Sequence, residues 1–228
     1  MKKIFIVCLL ATFIGMSINI KAQETMTQEE RISYFLGANV GEFYKQQDVD
    51  ILKEKFFQGF TEAYAGQNMF TQEEMESLNM EFQKMMQQKQ NSIMDKEKAK
   101  GAAFLAENKK KEGVIETASG LQYKVVKMGT GAKPTATDKV KVHYHGTLID
   151  GTVFDSSVER GQPIAFPLNQ VIAGWTEGVQ LMPVGSKFIF YIPSNLAYGD
   201  RAAGDKIKPG STLIFEVELL DIEKPAQR

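Results

Sequence analysis

The side chains best suited to chemistry in this sequence are aromatic, and they gather within residues 140–215. No catalytic nucleophile, metal-ligand cluster or phosphate-binding loop accompanies them in that stretch. Chemistry here therefore has to come from the shape and dryness of a pocket. The plain alternative is that these rings form the core of a sheet. The aromatic residues of this stretch are Tyr144, Phe154, Phe166, Trp175, Phe188, Phe190, Tyr191, Tyr198 and Phe215.

Two histidines are the only imidazoles in the chain and the first candidates for a metal site. His143 and His145 share one face of a predicted strand with Lys139 and Lys141, opposite Tyr144. Two ligands beside two lysines make a poor metal site. We therefore interpret both histidines as surface residues and expect no metal and no cofactor.

The elements that position the aromatic residues have the two-residue period of β-strands. Asp150-Gly151 predicts a tight hairpin turn between two of them. A short helical piece at about residues 169–178 interrupts the strands and carries Val171, Ile172 and Trp175. This order predicts an antiparallel sheet wrapped on one short helix. The strand patterns are Leu121-Tyr123-Val125, Val140-Val142-Tyr144, Phe188-Phe190-Ile192 and Leu213-Phe215-Val217-Leu219.

The preceding region, from Thr27 to about Lys111, has helical periodicity and no proline. Thr27 and Thr71 each stand three residues before a glutamate, which is typical of a capping box at a helix start. Asp50 is a candidate cap for a helix between them. The apolar residues of the first helix recur at helical spacing. They are Ile32, Phe35, Leu36, Val40 and Phe43.

The third predicted helix is unusually long and loses its apolar face after Met86. A helix that is polar on all sides is typical of a solvated spacer, and at 1.5 Å per residue it would span roughly 58 Å. Six of the eleven methionines fall within residues 69–94. They suit either the core of a subunit interface or an adaptable surface for client proteins.

Residues 1–22 have the pattern of a secretory signal peptide, with Lys2 and Lys3 before an apolar run and Ala22 at the exit. The run is shorter than the roughly 20 residues that a membrane-spanning helix needs. Cys8, the only cysteine, lies within it, so the mature chain would contain no thiol. That chain would carry 24 basic and 28 acidic side chains, and we expect no nucleic-acid partner.

Three segments resemble the FKBP-type peptidyl-prolyl cis-trans isomerases over residues 120–222, namely HYHGTLIDGTVFDSS, GWTEGVQLMPVG and LAYGD. The segments ISYFLGANVG and GAAFLAENKKKEGV resemble the two-domain, Mip-like envelope branch of that family. The resemblance implies an α+β fold with a helical dimerisation module at residues 23–70, a long stalk helix at 71–112 and the isomerase domain at 113–228. It also implies a V-shaped homodimer that is exported to the periplasm or associated with the outer membrane of a Gram-negative bacterium.

Carried onto matching positions, the resemblance implies a pocket with Trp175 as its floor beneath the proline ring. The backbone N–H of Ile172 and the hydroxyl of Tyr198 would bind substrate carbonyls. Asp155 would act either through its charge or as a carboxylate that is tied to Tyr144 or Arg160 and shapes the pocket. Those three, Asp155, Tyr198 and Ile172, are the implied catalytic residues. The remaining substrate-binding residues are Tyr144, Phe154, Phe166, Val171 and Phe215.

The resemblance implies a peptidyl-prolyl isomerase that acts on Xaa-Pro bonds of unfolded envelope proteins and also has chaperone activity. The alternative is a non-catalytic, proline-binding holdase; family analogy also suggests a host-directed virulence factor, which the residues do not support. Two departures from the family pattern, Ile164 in place of an aromatic residue and the lysines Lys206 and Lys208 in one loop, are expected to alter substrate preference and macrolide binding more than activity.

Overall fold

The computed structural model describes residues 26–223. They fall into two compact units, one ending at Met75 and one beginning at Glu76. The predicted signal peptide and Cys8 lie outside the described residues. None of the described helices is both long and apolar enough to cross a membrane. The first three helices are α1 (Gln28–Gln46), α2 (Lys53–Tyr64) and α3 (Gln72–Asn108).

Two of these helices begin as the sequence predicts. The Thr27 hydroxyl accepts a hydrogen bond from the Glu30 N–H at 3.2 Å, and the Glu30 carboxylate accepts one from the Thr27 N–H at 2.7 Å. Thr71 and Glu74 make the same pair of bonds at the start of α3. The prediction for Asp50 is wrong, because α2 begins at Lys53 and Leu52 occupies the cap position without a side-chain hydrogen bond.

The unit from Glu76 onward contains a seven-stranded antiparallel sheet, whose strands are β1 (Val114–Glu116), β2 (Gln122–Lys127), β3 (Lys139–Leu148), β4 (Val153–Ser156), β5 (Ile164–Pro167), β6 (Lys187–Ile192) and β7 (Leu213–Glu223). The strand order is β1-β2-β6-β7-β3-β4, and β5 pairs with β3 off this path. Strand β3 pairs with β7 along its whole length; on its other side β5 pairs with its first half and β4 with its second. A short helix, α4 (Ala173–Val179), packs on the sheet.

The four strands predicted from alternation are confirmed as β2, β3, β6 and β7, and the turn at Asp150-Gly151 joins β3 to β4. Gly151 has a φ of 86°, a conformation that glycine adopts without steric cost. Strand β4, of four residues, is the strand expected after that turn, whereas β1 and β5, of three and four residues, were not predicted. The inward faces form one core of fully buried side chains, which include Leu121, Val140, Val142, Phe190, Leu213 and Leu219.

The predicted long helix is present as α3, but its C-terminal turns pack against the sheet, so the interpretation as a solvated spacer is wrong for these turns. Gly101 and Asn108 are buried, and the Asn108 amide donates a hydrogen bond to the Gln122 side chain at 3.0 Å. The Gln122 amide in turn donates to the Leu105 carbonyl at 2.9 Å. A glycine and two buried amides make this contact, which is why an apolar periodicity does not reveal it.

Candidate active site

All nine residues predicted for the site line one cavity of about 800 Å³. Strands β3, β4, β5 and β7 contribute to its walls, together with α4 and the segment between β6 and β7. Such a volume lies within the roughly 300–1,000 Å³ range typical of ligand pockets. The nine residues are Tyr144, Phe154, Asp155, Phe166, Val171, Ile172, Trp175, Tyr198 and Phe215.

Trp175 is the floor of this cavity, because its side chain lines the space and yet is only 4% exposed. Tyr144 and Phe215 pack against the indole edge to face, with ring centroids at 5.5 and 5.1 Å, and Phe166 lies at 5.5 Å. Such edge-to-face pairs are favourable beyond their burial alone. The indole Nε1–H has no hydrogen-bond partner among the described residues.

Two glycines bring α4 close enough to the sheet to place the indole there. A Cβ on Gly174 would lie 2.5 Å from Ile192, and one on Gly178 would lie 2.7 Å from the Phe190 ring. The two glycines stand four residues apart, so they share the face of the helix that meets the sheet. The sequence GWTEG therefore combines close helix packing with the orientation of Trp175.

Phe154 and Asp155 are neighbours in β4, yet both line the cavity. A regular strand would point their side chains to opposite faces. Here Gly146 pairs with Asp155 while Thr147 pairs with Val153, so Phe154 is the extra residue of a β-bulge. Gly146 makes room for the redirected ring, because a Cβ there would lie 2.7 Å from Phe154.

Asp155 is held at the rim by two partners. The Tyr144 hydroxyl and the Arg160 guanidinium both donate hydrogen bonds to its carboxylate, and Arg160 also donates to the Tyr144 oxygen at 2.9 Å. Partial burial raises the pKa of Asp155, but these hydrogen bonds and the Arg160 charge outweigh it and lower that pKa below its ordinary value. Burial and the bond to Asp155 raise the pKa of Tyr144. The Asp155 carboxylate is therefore tied to both Tyr144 and Arg160, the two partners expected for it as alternatives.

The two groups expected to bind substrate carbonyls lie at the cavity on different elements. Ile172 is the cap residue of α4, and its carbonyl accepts hydrogen bonds from the N–H groups of Trp175 and Thr176. Its own N–H precedes the helix and is not used by the intrahelical ladder. Tyr198 is 42% exposed and follows the short helical turn Ser194–Leu196. The catalytic roles of Ile172, Tyr198 and Asp155 stay predictions.

The cavity also includes residues that the sequence analysis did not select. Ile207 is 6% exposed and lines the cavity wall between two exposed lysines, Lys206 and Lys208. The alternation Lys-Ile-Lys was the available signal for an inward side chain. The other additions are Gln170, Ala203, Gly204 and Asp205, together with Ile164 and Lys206, which were noted as departures from the family pattern.

The two histidines lie within hydrogen-bond distance of Ser156, which ends β4, and of Ser157, which follows it. His143 Nδ1 lies 3.1 Å from the Ser157 hydroxyl, and His145 Nδ1 lies 3.0 Å from that of Ser156. Within residues 26–223, no group of three or more His, Cys, Asp or Glu side chains is arranged to hold a metal ion.

Two family models match the chain in succession. Residues 130–220 match the model for FKBP-type peptidyl-prolyl cis-trans isomerase. Residues 29–125 match the model for the domain amino terminal to FKBP-type peptidyl-prolyl isomerase.

Curated proteins and solved structures agree with these matches. The chain is 50% identical over 214 residues to FKBP-type peptidyl-prolyl cis-trans isomerase FkpA of Aeromonas hydrophila, with 89% of this chain and 80% of that protein covered. It is 44% identical to Outer membrane protein MIP of Legionella longbeachae, with 90% of each chain covered. The crystal structure of FkpA from Escherichia coli superposes with a TM-score of 0.68 at 36% identity, covering 88% of this chain and 99% of that one.

Proposed function

The chain belongs to the FKBP-type peptidyl-prolyl cis-trans isomerase family, and we propose that its cavity catalyses isomerisation by excluding water around an Xaa-Pro bond. The chain is an enzyme of this class, so the isomerase prediction holds rather than the non-catalytic alternative. The observation that carries the proposed mechanism is the cavity itself, with its buried indole floor and its mainly aromatic and aliphatic lining.

The chemistry to be accelerated is rotation about one bond. The barrier of roughly 18–20 kcal/mol arises from amide resonance, which is lost in the twisted state. The planar amide is more polar than the twisted one, so apolar walls disfavour the ground state more than the transition state. In this proposal the prolyl ring lies on Trp175, and the Ile172 N–H and the Tyr198 hydroxyl hold the flanking carbonyls.

Asp155 shapes the cavity in this proposal rather than accepting a proton. Its carboxylate is engaged by Tyr144 and Arg160, and its lowered pKa keeps it charged at neutral pH. The reaction needs no covalent step and no proton transfer.

The test is NMR exchange spectroscopy on an Xaa-Pro peptide with catalytic amounts of protein. We expect Tyr198→Phe to lower kcat/KM by about tenfold or less, as the loss of one hydrogen bond predicts, and Trp175→Leu to lower it further. Tyr123→Phe is the matched control, because that ring stacks on Phe188 in the sheet and does not line the cavity. Equal rates for the three variants and the parent would contradict the proposed roles.

We further propose that two copies associate through residues 23–70. No residue of α1 or α2 is buried within one chain, and Phe35, Leu36 and Phe60 are 58–61% exposed. Large apolar side chains exposed in this number on two helices are typical of a protein interface. Sedimentation of the mature chain should show two copies, and Leu36→Lys should give a monomer. Lys45→Glu, on the opposite face of α1, is the control, and a monomeric parent would refute the dimer.

The clients in this proposal are unfolded, proline-containing polypeptides. A dimer would present two cavities to one chain and raise the apparent affinity through effective concentration. We also propose a chaperone activity, which the exposed methionines Met69 and Met80 support as an adaptable apolar surface. The double variant Trp175→Leu/Tyr198→Phe should then still suppress aggregation of an unfolded client, and loss of suppression would place both activities in the cavity.

The proposed location is the bacterial envelope, in the periplasm or at the outer membrane. The signal-peptide pattern of residues 1–22 supports export, and the Legionella longbeachae relative is named an outer membrane protein. Protein recovered from the periplasm of a Gram-negative host should begin at Gln23. Recovery of the full-length chain from the cytoplasm would contradict export.

Macrolide inhibitors would enter the same cavity in this proposal. Ile164 is 41% exposed at the wall where many relatives carry an aromatic ring. Restoring that ring with Ile164→Phe should tighten macrolide binding, as measured by calorimetry. Unchanged affinity would mean that this wall does not contact the inhibitor.

A further inference from the structure

A second cavity of about 550 Å³ lies beside the first in the sheet-containing unit. Its walls come from α3, from the turn between β3 and β4, and from the segment that precedes β7. Unlike the first cavity, it has no aromatic residue in its lining. Its chemistry is set instead by charged side chains, among them Glu97, Lys100, Asp150, Lys206 and Lys208.

Lys206 belongs to the lining of both cavities. Its ammonium group donates a hydrogen bond to the Val153 carbonyl in β4 at 2.6 Å, and the next two residues of β4 line the first cavity. The Lys206 side chain therefore lies between the two cavities. An extended polypeptide that runs from the first cavity past the Lys206 side chain therefore enters the second cavity.

The charges in the second cavity favour an anion. Glu97 already accepts a hydrogen bond from Lys100 at 3.0 Å, and an Asp150 oxygen accepts one from the Thr152 N–H at 2.9 Å. Lys208 is exposed and has no ion-pair partner among the described residues. Since an ammonium group has three donors, Lys206 also keeps N–H groups beyond the one bound to Val153.

We infer that this second cavity is a subsite for an acidic side chain of the polypeptide whose proline occupies the first cavity. The inference rests on the isomerase function and adds a sequence preference to it. An extended chain advances about 3.5 Å per residue, so four positions on either side of the proline cover a reach of about 14 Å. Lys206 and Lys208 supply the charge that recognises it.

The test uses Xaa-Pro peptides that carry Glu, or Gln as the neutral match, at each of four positions on either side of the proline. NMR exchange gives kcat/KM for each peptide at low and at high salt. At one or two positions the Glu peptide should exceed the Gln peptide about two- to fivefold at low salt, as exposed ion pairs predict. The preference should shrink at high salt because the charges are screened.

Charge reversal identifies the residue responsible. In Lys208→Glu the Glu-to-Gln ratio should fall below one, while Lys124→Glu, an equal change on β2, should leave the ratio of the parent protein. Because each ratio is internal to one variant, a general loss of activity does not affect it. A ratio of one at every position, or a ratio that Lys208→Glu does not move, overturns the subsite and leaves the isomerase function standing. Absence of exchange for every peptide would instead contradict the isomerase function itself.

Discussion

Phe190 in β6 and Phe60 in α2 are the same residue type, yet the first is fully buried and the second is 61% exposed. The difference separates two regions of the molecule. The sheet covers its apolar face with its own helix and neighbouring strands, whereas α1 and α2 leave theirs uncovered within one chain. An apolar pattern therefore predicts which face of a helix or strand is apolar, but not whether the same chain covers that face.

Replacing these two phenylalanines should give the greatest difference in the free energy of unfolding of the sheet unit. Phe190→Ala should lower the free energy of unfolding of the sheet unit by about 3–5 kcal/mol, because it opens a cavity in a packed core. Phe60→Ala should change the same quantity by less than about 0.5 kcal/mol. Denaturant unfolding followed by the fluorescence of Trp175, the only tryptophan, reports on that unit alone. Similar losses of unfolding free energy for both variants would contradict the assignment of Phe190 to the core and of Phe60 to an uncovered surface.

Replacing a glycine by alanine should change stability in opposite directions in the two regions. Gly178→Ala would press a methyl group into the Phe190 ring, and we expect it to cost about 1–3 kcal/mol and to reduce kcat/KM by tilting Trp175. Gly37→Ala meets no atom within 4 Å in α1, so it should stabilise that helix by about 0.5–1 kcal/mol. Thermal unfolding by circular dichroism measures both changes, and a loss at Gly37 would show that a neighbour already covers this position.

A smaller effect tests whether the end of α3 belongs with the sheet. A Cβ on Gly101 would lie 2.2 Å from the Thr212 hydroxyl oxygen, so Gly101→Ala should cost about 1–2 kcal/mol. Thr212→Ala removes that oxygen, and the double variant should recover part of the loss. The double-mutant cycle measures this coupling. Strictly additive losses would mean that α3 does not pack there.

The smallest effect is the pH dependence of the site. The lowered pKa of Asp155 means that its interactions stabilise the fold above the unfolded Asp pKa of about 3.9 and are lost as the pH falls through the lower folded value. The carboxylate is 44% exposed, so the loss should stay below about 1 kcal/mol. kcat/KM should be flat from about pH 5 to pH 8. A rise or fall of kcat/KM near neutral pH that Asp155→Asn abolishes would contradict the assignment of Asp155 as a group that stays charged and transfers no proton.

Alternating hydrophobicity was enough to predict the long strands, because each exposes one face to the core and one to solvent. It did not predict β4, where the bulge at Phe154 interrupts the alternation. Only the family resemblance placed Phe154 and Asp155 in one site. The contact of α3 with the sheet escaped prediction because Gly101 and the Asn108–Gln122 amide pair carry no apolar signal. Asp50 failed as a cap because local sequence does not fix the register of a helix start to within one or two residues.

In the proposed mechanism, a prolyl ring rests on Trp175 while its peptide bond rotates. Because the chain has a single tryptophan, nuclear Overhauser effects between indole ring protons and a bound Xaa-Pro peptide can be assigned without ambiguity. We expect these contacts to involve the prolyl ring protons under conditions where the protein catalyses exchange. Catalysed exchange with no contact between the prolyl ring and the indole would contradict the claim.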